Sequence, residues 1–217
     1  MKKYELTQNS IKINNRTLYQ IKALKNFGSV KKGNLGGYIE SEKNLSYDRN
    51  CWVSGNAQVY EDARVSGNAQ VFESARVSGN VQVFENTRVY GNARIFGNAH
   101  VYGNAKVYGN ALVFDNTWIY GNALVYGNAR VYGKAEVSGN AQIYDNAWVC
   151  GNTHIFENAH VYGYARLGNV PIDFDCSFDP YKTLKEILNC PEIFSVLSGV
   201  NKNLDKLIST ILTKTGT

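Results

Sequence analysis

The chain has 217 residues and four cysteines, Cys51, Cys150, Cys176 and Cys190, but no CxxC pair and no CxxC/HxxxH combination. That spacing argues against a zinc site and sets no disulfide framework, so a reduced, cytoplasmic protein is the expectation. No apolar run approaches the ~18 residues of a membrane span. The opening MKKYELTQNS has two lysines and no apolar core, unlike a secretory signal. Charged residues make up only 19%, with a net charge of +5 and no block of like charge, so a nucleic-acid tail is missing. GxSxG, HExxH and Walker patterns are absent as well. The Gly-rich run Gly28–Tyr38 lacks the GxxxxGK[ST] order and reads as turns. What the chain has in excess is asparagine, 26 copies, beside 20 glycines and 15 tyrosines.

These residues fall into a repeat. From Val53 to Arg166 the chain runs through 19 hexapeptides without a break. Position one is Val in 15 and Ile in four; position five is Ala in 15, Thr in three and Val once. Position four is Asn in 15, and position three is Gly, Glu or Asp in every unit. A short fixed period predicts a solenoid. In Ala93-Arg94-Ile95-Phe96 the alternation places Ala and Ile on one face and Arg and Phe on the other. Gly97-Asn98 follows as a corner, because Gly and Asn accept positive φ at least cost. Each unit is therefore a short strand and a turn around a narrow interior, and each buried Val or Ile adds roughly 1.5–3 kcal/mol.

The pattern [V/I]-x-[G/E/D]-N-[A/T]-x resembles the hexapeptide repeat of left-handed parallel β-helices. The resemblance implies three hexapeptides per triangular coil of 18 residues, about six coils in all, and a left hand that periodicity alone would not give. The stretch LGGYIESEKNLSYDRNCWV, Leu35 to Val53, leads into VYxxARVSGNA-type repeats. In this it looks like the bacterial and prophage-borne hexapeptide proteins of the YdcK-like kind. The expected fold is all-β, a single-stranded left-handed parallel β-helix with an N-terminal β cap and short C-terminal α-helices.

Three segments follow. Residues 1–46 read as a capping segment with strands at Tyr4–Leu6, Ile11–Ile13 and Arg16–Ala23 and a hairpin turn at Asn14-Asn15. Residues 47–166 are the repeat. Residues 167–217 read as a helical cap or partner-docking segment. Asp179-Pro180 and Cys190-Pro191 mark helix starts, and Leu204, Leu207, Ile208, Ile211 and Leu212 share one helical face.

Stacking at 18 residues turns outward positions into columns. Phe72, Tyr90, Tyr108, Tyr126, Tyr144 and Tyr162 form one, readable as a structural ladder or a recognition strip. Gln58, Arg76, Arg94, Leu112, Arg130, Trp148 and Arg166 form a second, expected beside the first on the same face. Tyr90, Tyr108, Tyr126, Tyr144, Arg94, Arg130 and Trp148 are accordingly the candidate partner-binding residues, having the composition of interface hot spots. A third column carries Arg64, Gln82, His100, Trp118, Glu136 and His154.

Two functions compete. The first is a non-enzymatic rigid scaffold or protein-binding module, needing no cofactor and no metal, with a protein partner or self-association as dimer or trimer. Its prophage-borne lookalikes suggest a phage protein that blocks a host nuclease or defence complex. Nucleic acid is weakly supported and no membrane role is expected. The second follows from resemblance to hexapeptide acyltransferases, which use acyl-CoA and a histidine base. It implies a homotrimer binding acetyl-CoA, with His154 as base, Glu136 orienting it and His100 as second choice. Against it, no loop interrupts the 19 units to build a concave site. Filament assembly ranks third. Cys150, outward in VCGNTH, reads as a stand-in for Tyr or Ser rather than a reactive thiol.

Overall fold

The computed structural model describes residues 2–169, 171–172 and 176–178. The helices expected at 179–217 lie outside them. The described chain is a parallel β-solenoid with three sheets as its faces, and each hexapeptide contributes one rung. Rungs 18 residues apart pair in register: Arg94 lies over Arg76 and Ile95 over Val77. The Val/Ile column and the Ala/Thr column fill the interior, with Val53 through Val161 at 0–1% exposure.

The backbone explains the turn chemistry. Amides at positions six, two and four donate to the next coil's carbonyls, as in Arg94 N to Ala111 O at 2.9 Å, Phe96 N to Val113 O at 3.0 Å and Asn98 N to Asp115 O at 2.7 Å. All 19 third residues have positive φ, Gly at 64–80° and Glu or Asp at 55–61°. At Gly103 a Cβ would meet the Gly121 nitrogen at 2.8 Å, which favours glycine where corner sits on corner.

The acidic corners follow a rule the sequence did not suggest. Five of the six carboxylates accept the third-position amide of the next coil: Glu61 from Gly79 at 2.6 Å, Glu73 from Gly91 at 2.8 Å, Glu85 from Gly103 at 2.8 Å. Shorter Asp115 and Asp145 reach Gly133 and Gly163 at 3.2 Å. The bond offsets the left-handed backbone, which costs an L-residue roughly 1–2 kcal/mol. Glu73→Ala should therefore lose about 1 kcal/mol, keeping the strain without the bond. Glu73→Gly loses the bond but relieves the strain, and should melt higher than the Ala variant in a thermal scan. The opposite order would show that the carboxylate bond contributes nothing.

Asn at position four forms side-chain ladders. On one corner Nδ2 of Asn68, Asn86, Asn104, Asn122 and Asn140 each donates to Oδ1 of the Asn on the following coil, ending at Asn158, over 3.0–3.2 Å. Corner geometry and stacking account for the asparagine excess.

The coil is longer than the regular repeat. At its start, Gly37-Tyr38-Ile39 already forms a rung, with Tyr38 over Gln58 and Ile39 over Val59, and Leu45 bridges Val65. Gly36 and Gly37 are needed there because a Cβ would lie 2.5 Å from Ile21 Cγ1 or 2.6 Å from Ala57 O. Ahead of it, β1 (Tyr4–Ile13) and β2 (Arg16–Ala23) form the expected hairpin. Asn14 and Asn15 turn it at φ 46° and 64°. β1 is one continuous strand rather than two, with a bulge between Leu6 and Ser10. β2 pairs antiparallel with β3 (Leu35–Ile39), so the hairpin extends one face of the coil. At the far end rungs continue past Arg166: Pro171–Ile172 pairs with the His154–Ile155 rung and Cys176–Phe178 with the rung of Val161. There the period shortens, which hides these rungs from a strict hexapeptide reading.

Candidate interaction surface

Between corners each face presents two outward columns, position six before the interior Val or Ile and position two after it. The position-two rings stack. Phe72–Tyr90–Tyr108–Tyr126–Tyr144–Tyr162 is one unbroken ladder with centroids 4.8–5.2 Å apart and planes within 6°. Each of the other two faces carries a shorter ladder: Phe84–Tyr102–Tyr120, and Phe96–Phe114–Tyr132, at 4.9–5.1 Å. The same position-two signal exists for these, but only the longest run attracts notice in the sequence.

The placement of the arginine column needs correction. Arg94, Arg130 and Trp148 belong to the sheet of Gln58 and Arg76, whereas Tyr90, Tyr108, Tyr126 and Tyr144 follow the rungs of Arg88, Lys106, Leu124 and Gln142 in another sheet. Three residues separate Tyr90 from Arg94, and the Gly91-Asn92 corner lies between them. The candidate residues thus flank one edge of the prism instead of sharing a flat side. On the ladder's own face the neighbouring column ends in His160, which meets the Tyr144 ring edge-on at 6.2 Å.

Along the arginine column, Arg130 and Arg166 stack on opposite neighbours of one ring, 4.6 and 4.5 Å from the Trp148 centroid. Among the described residues the ion pairs are Lys2–Glu42, Arg16 with Glu40 and Glu61, Lys43–Asp62 and His154–Glu136. The arginines of this column are in none of them. Burial raises the phenols of Tyr90, Tyr102, Tyr108 and Tyr126 above the ordinary tyrosine range. Tyr132 is raised first by its hydrogen bond with the Cys150 thiol. Cys150 thus continues the Phe96–Phe114–Tyr132 column as a partner of the last ring.

On the third face His154 Nδ1 lies 3.8 Å from Glu136 Oε2, on adjacent coils as expected, with the two side chains 54% and 38% exposed. His100 instead stacks on Trp118, centroids 4.9 Å apart, and its Nδ1 sits 3.1 Å from Asn98 O. His100 and His154 are therefore not brought together. Among the described residues no group of three or more His, Cys, Asp or Glu could hold a metal. No described helix is long and apolar enough to cross a membrane.

A family model for the YdcK β-solenoid repeat matches residues 57–73, 87–103, 105–121, 119–133 and 123–139. Each match spans nearly one coil. No curated protein matches the chain. The match falls on the segment whose rungs, corners and ladders are set out above: residues 57–139 of the β-solenoid carry stretches similar to the YdcK β-solenoid repeat.

Proposed function

We propose that the chain is a rigid, non-enzymatic scaffold that binds a protein along the edge between the tyrosine ladder and the arginine column. The carrying observation is the unbroken ladder itself. Its rings are already held parallel at 4.8–5.2 Å, so little side-chain freedom is lost on association. Arginines without ion-pair partners among the described residues, together with the Arg130–Trp148–Arg166 stack, supply the residue types that dominate binding energy. In its most concrete form the protein is phage-encoded and blocks a host nuclease or defence complex. That version rests on the prophage-borne proteins the sequence resembles.

The test is capture of host protein by wild-type chain and by a Tyr108→Ser, Tyr126→Ser double variant. The interior column is untouched, so the variant should keep its circular dichroism spectrum while capture falls at least about tenfold. Undiminished capture would remove the ladder as the recognition surface.

The alternative, an acetyl-CoA-dependent acyltransferase acting as a homotrimer, is favoured by one observation, the adjacency of Glu136 and His154. It ranks second because both side chains stand open on a face, where a neighbouring subunit would have to supply the pocket wall.

A further inference from the structure

One face has a broken ladder. Its position-two column runs Tyr60, Ser78, Phe96, so a serine stands where every neighbouring coil carries a ring. The result is a hollow of about 390 Å³ lined by Tyr60, Phe96 and the hairpin-turn residue Asn14. Tyr60 and Phe96 are two rungs apart, about 9.5 Å. A flat ring between them would lie at the spacing the chain's own rings adopt, 4.9 Å in Phe96–Phe114.

The charges around the hollow are equally specific. Arg76 and Arg94 both line it and lie directly over one another. Like charges facing each other on adjacent strands are destabilising, and neither guanidinium has an ion pair among the described residues. The acid at the rim, Glu61, is already engaged, by the Gly79 amide at 2.6 Å and Arg16 Nε at 3.6 Å. Gly97, also lining the hollow, has glycine and not an acid on the preceding corner, so no carboxylate takes its amide. A second broken ladder provides the contrast. Ser138 interrupts Tyr120 and Phe156 on another face, but Glu136 and His154 flank it in place of two arginines.

We propose that the Ser78 hollow binds a planar aromatic ring bearing an anionic group, phosphate or carboxylate. The ring completes the Tyr60–Phe96 stack, and the anion lies between Arg76 and Arg94. The hollow shares Arg76 and Arg94 with the arginine column of the proposed edge but not Tyr108 or Tyr126, so the Ser78→Tyr variant tests it apart from the reading above. The ring could be a free small molecule or a phosphotyrosine side chain, and the same chemistry serves both.

Phenyl phosphate, cyclohexyl phosphate and inorganic phosphate are titrated into the full chain, with chemical-shift changes as the readout. Phenyl phosphate should bind with Kd of about 1 mM or tighter, and the other two at least about tenfold more weakly. Ser78→Tyr fills the rung with the chain's own ring. It should abolish phenyl phosphate binding while raising the melting temperature, so a folding defect cannot imitate the result. Arg94→Gln should weaken binding at least about fivefold. An acidic phosphotyrosine peptide binding about tenfold tighter than phenyl phosphate assigns the ring to a partner protein, whereas equal affinity assigns it to a small molecule. Equal binding of all three phosphates, no binding by phenyl phosphate, or undiminished binding by Ser78→Tyr overturns the proposal.

Discussion

Lys3→Ala should lower the stability of the N-terminal end of the coil by about 3–5 kcal/mol. Lys3 has no exposed surface although it stands two residues from the chain start. Its Nζ donates to Cys51 O at 2.9 Å and reaches Asp48 O and Arg49 O at 3.3 and 3.4 Å, with Cys51 Sγ at 3.2 Å. The Phe27 ring lies 4.9 Å away. One amine thus holds the loop in which the first coil departs from the hexapeptide period. Truncation leaves a cavity and a buried, unpaired Cys51 carbonyl. Lys3→Met restores the stem without the donors, and should recover roughly 1–2 kcal/mol of the loss. Because solenoids open unit by unit, hydrogen exchange at residues 4–24 and 45–53 should accelerate before the central coils respond. A loss below about 1 kcal/mol for Ala would mean that water replaces the amine at no cost.

Raising the pH should unfold the protein between about pH 10 and pH 12. Burial pushes the phenols of Tyr4, Tyr47, Tyr90, Tyr102, Tyr108 and Tyr126 upward, and the Cys150 hydrogen bond raises Tyr132. In the unfolded chain these groups release protons near pH 10. In the fold they keep them longer, so above pH 10 the unfolded state binds fewer protons and stability falls as pH rises. Below pH 10 their contribution is intact. Lys3 works the other way, since burial lowers its amine, but it is outnumbered by the seven phenols, and burial also pushes the Cys51 thiol up. Absorbance at 295 nm and circular dichroism, followed together, should show these phenols ionising as ordered signal is lost. Replacing Tyr90, Tyr108 and Tyr126 by Phe should move the midpoint to higher pH. Full ionisation with the spectrum unchanged would show that the folded ladder ionises freely.

Much of this architecture is legible in the sequence because each residue of the hexapeptide has one dominant task. Position-one residues are never exposed: Ile95 and Ile119 sit inside as alternation requires, and Asn14-Asn15 turns the hairpin where two asparagines suggest it. The first coil is obscured by Gly37 in place of Ala, required by the close approach of the Ala57 carbonyl, and by an irregular stretch between Leu45 and Val53. The surface is harder to read. A column list gives which side chains stack, but not which side of a corner each column occupies, and so it sets Arg94 beside Tyr90 on one face. Ser78 looks like one more polar outward residue. Its meaning depends on Tyr60 and Phe96, 18 residues away in either direction and adjacent only after coiling.

The asparagine ladders give the coil a direction. On all three corners the side-chain amides donate toward the C-terminal side, Asn68 to Asn86, Asn80 to Asn98, Asn92 to Asn110 and onward. The stacked dipoles add as they do along a helix axis, leaving a carbonyl oxygen at one terminus of each row and an amide hydrogen at the other. Two bare coils could therefore join head to tail, donor row onto acceptor row, while head-to-head contact would set oxygen against oxygen. Growth of this kind is polar and open-ended, so a single closed terminus is enough to stop a chain of copies, and the β1–β2 hairpin sits at one.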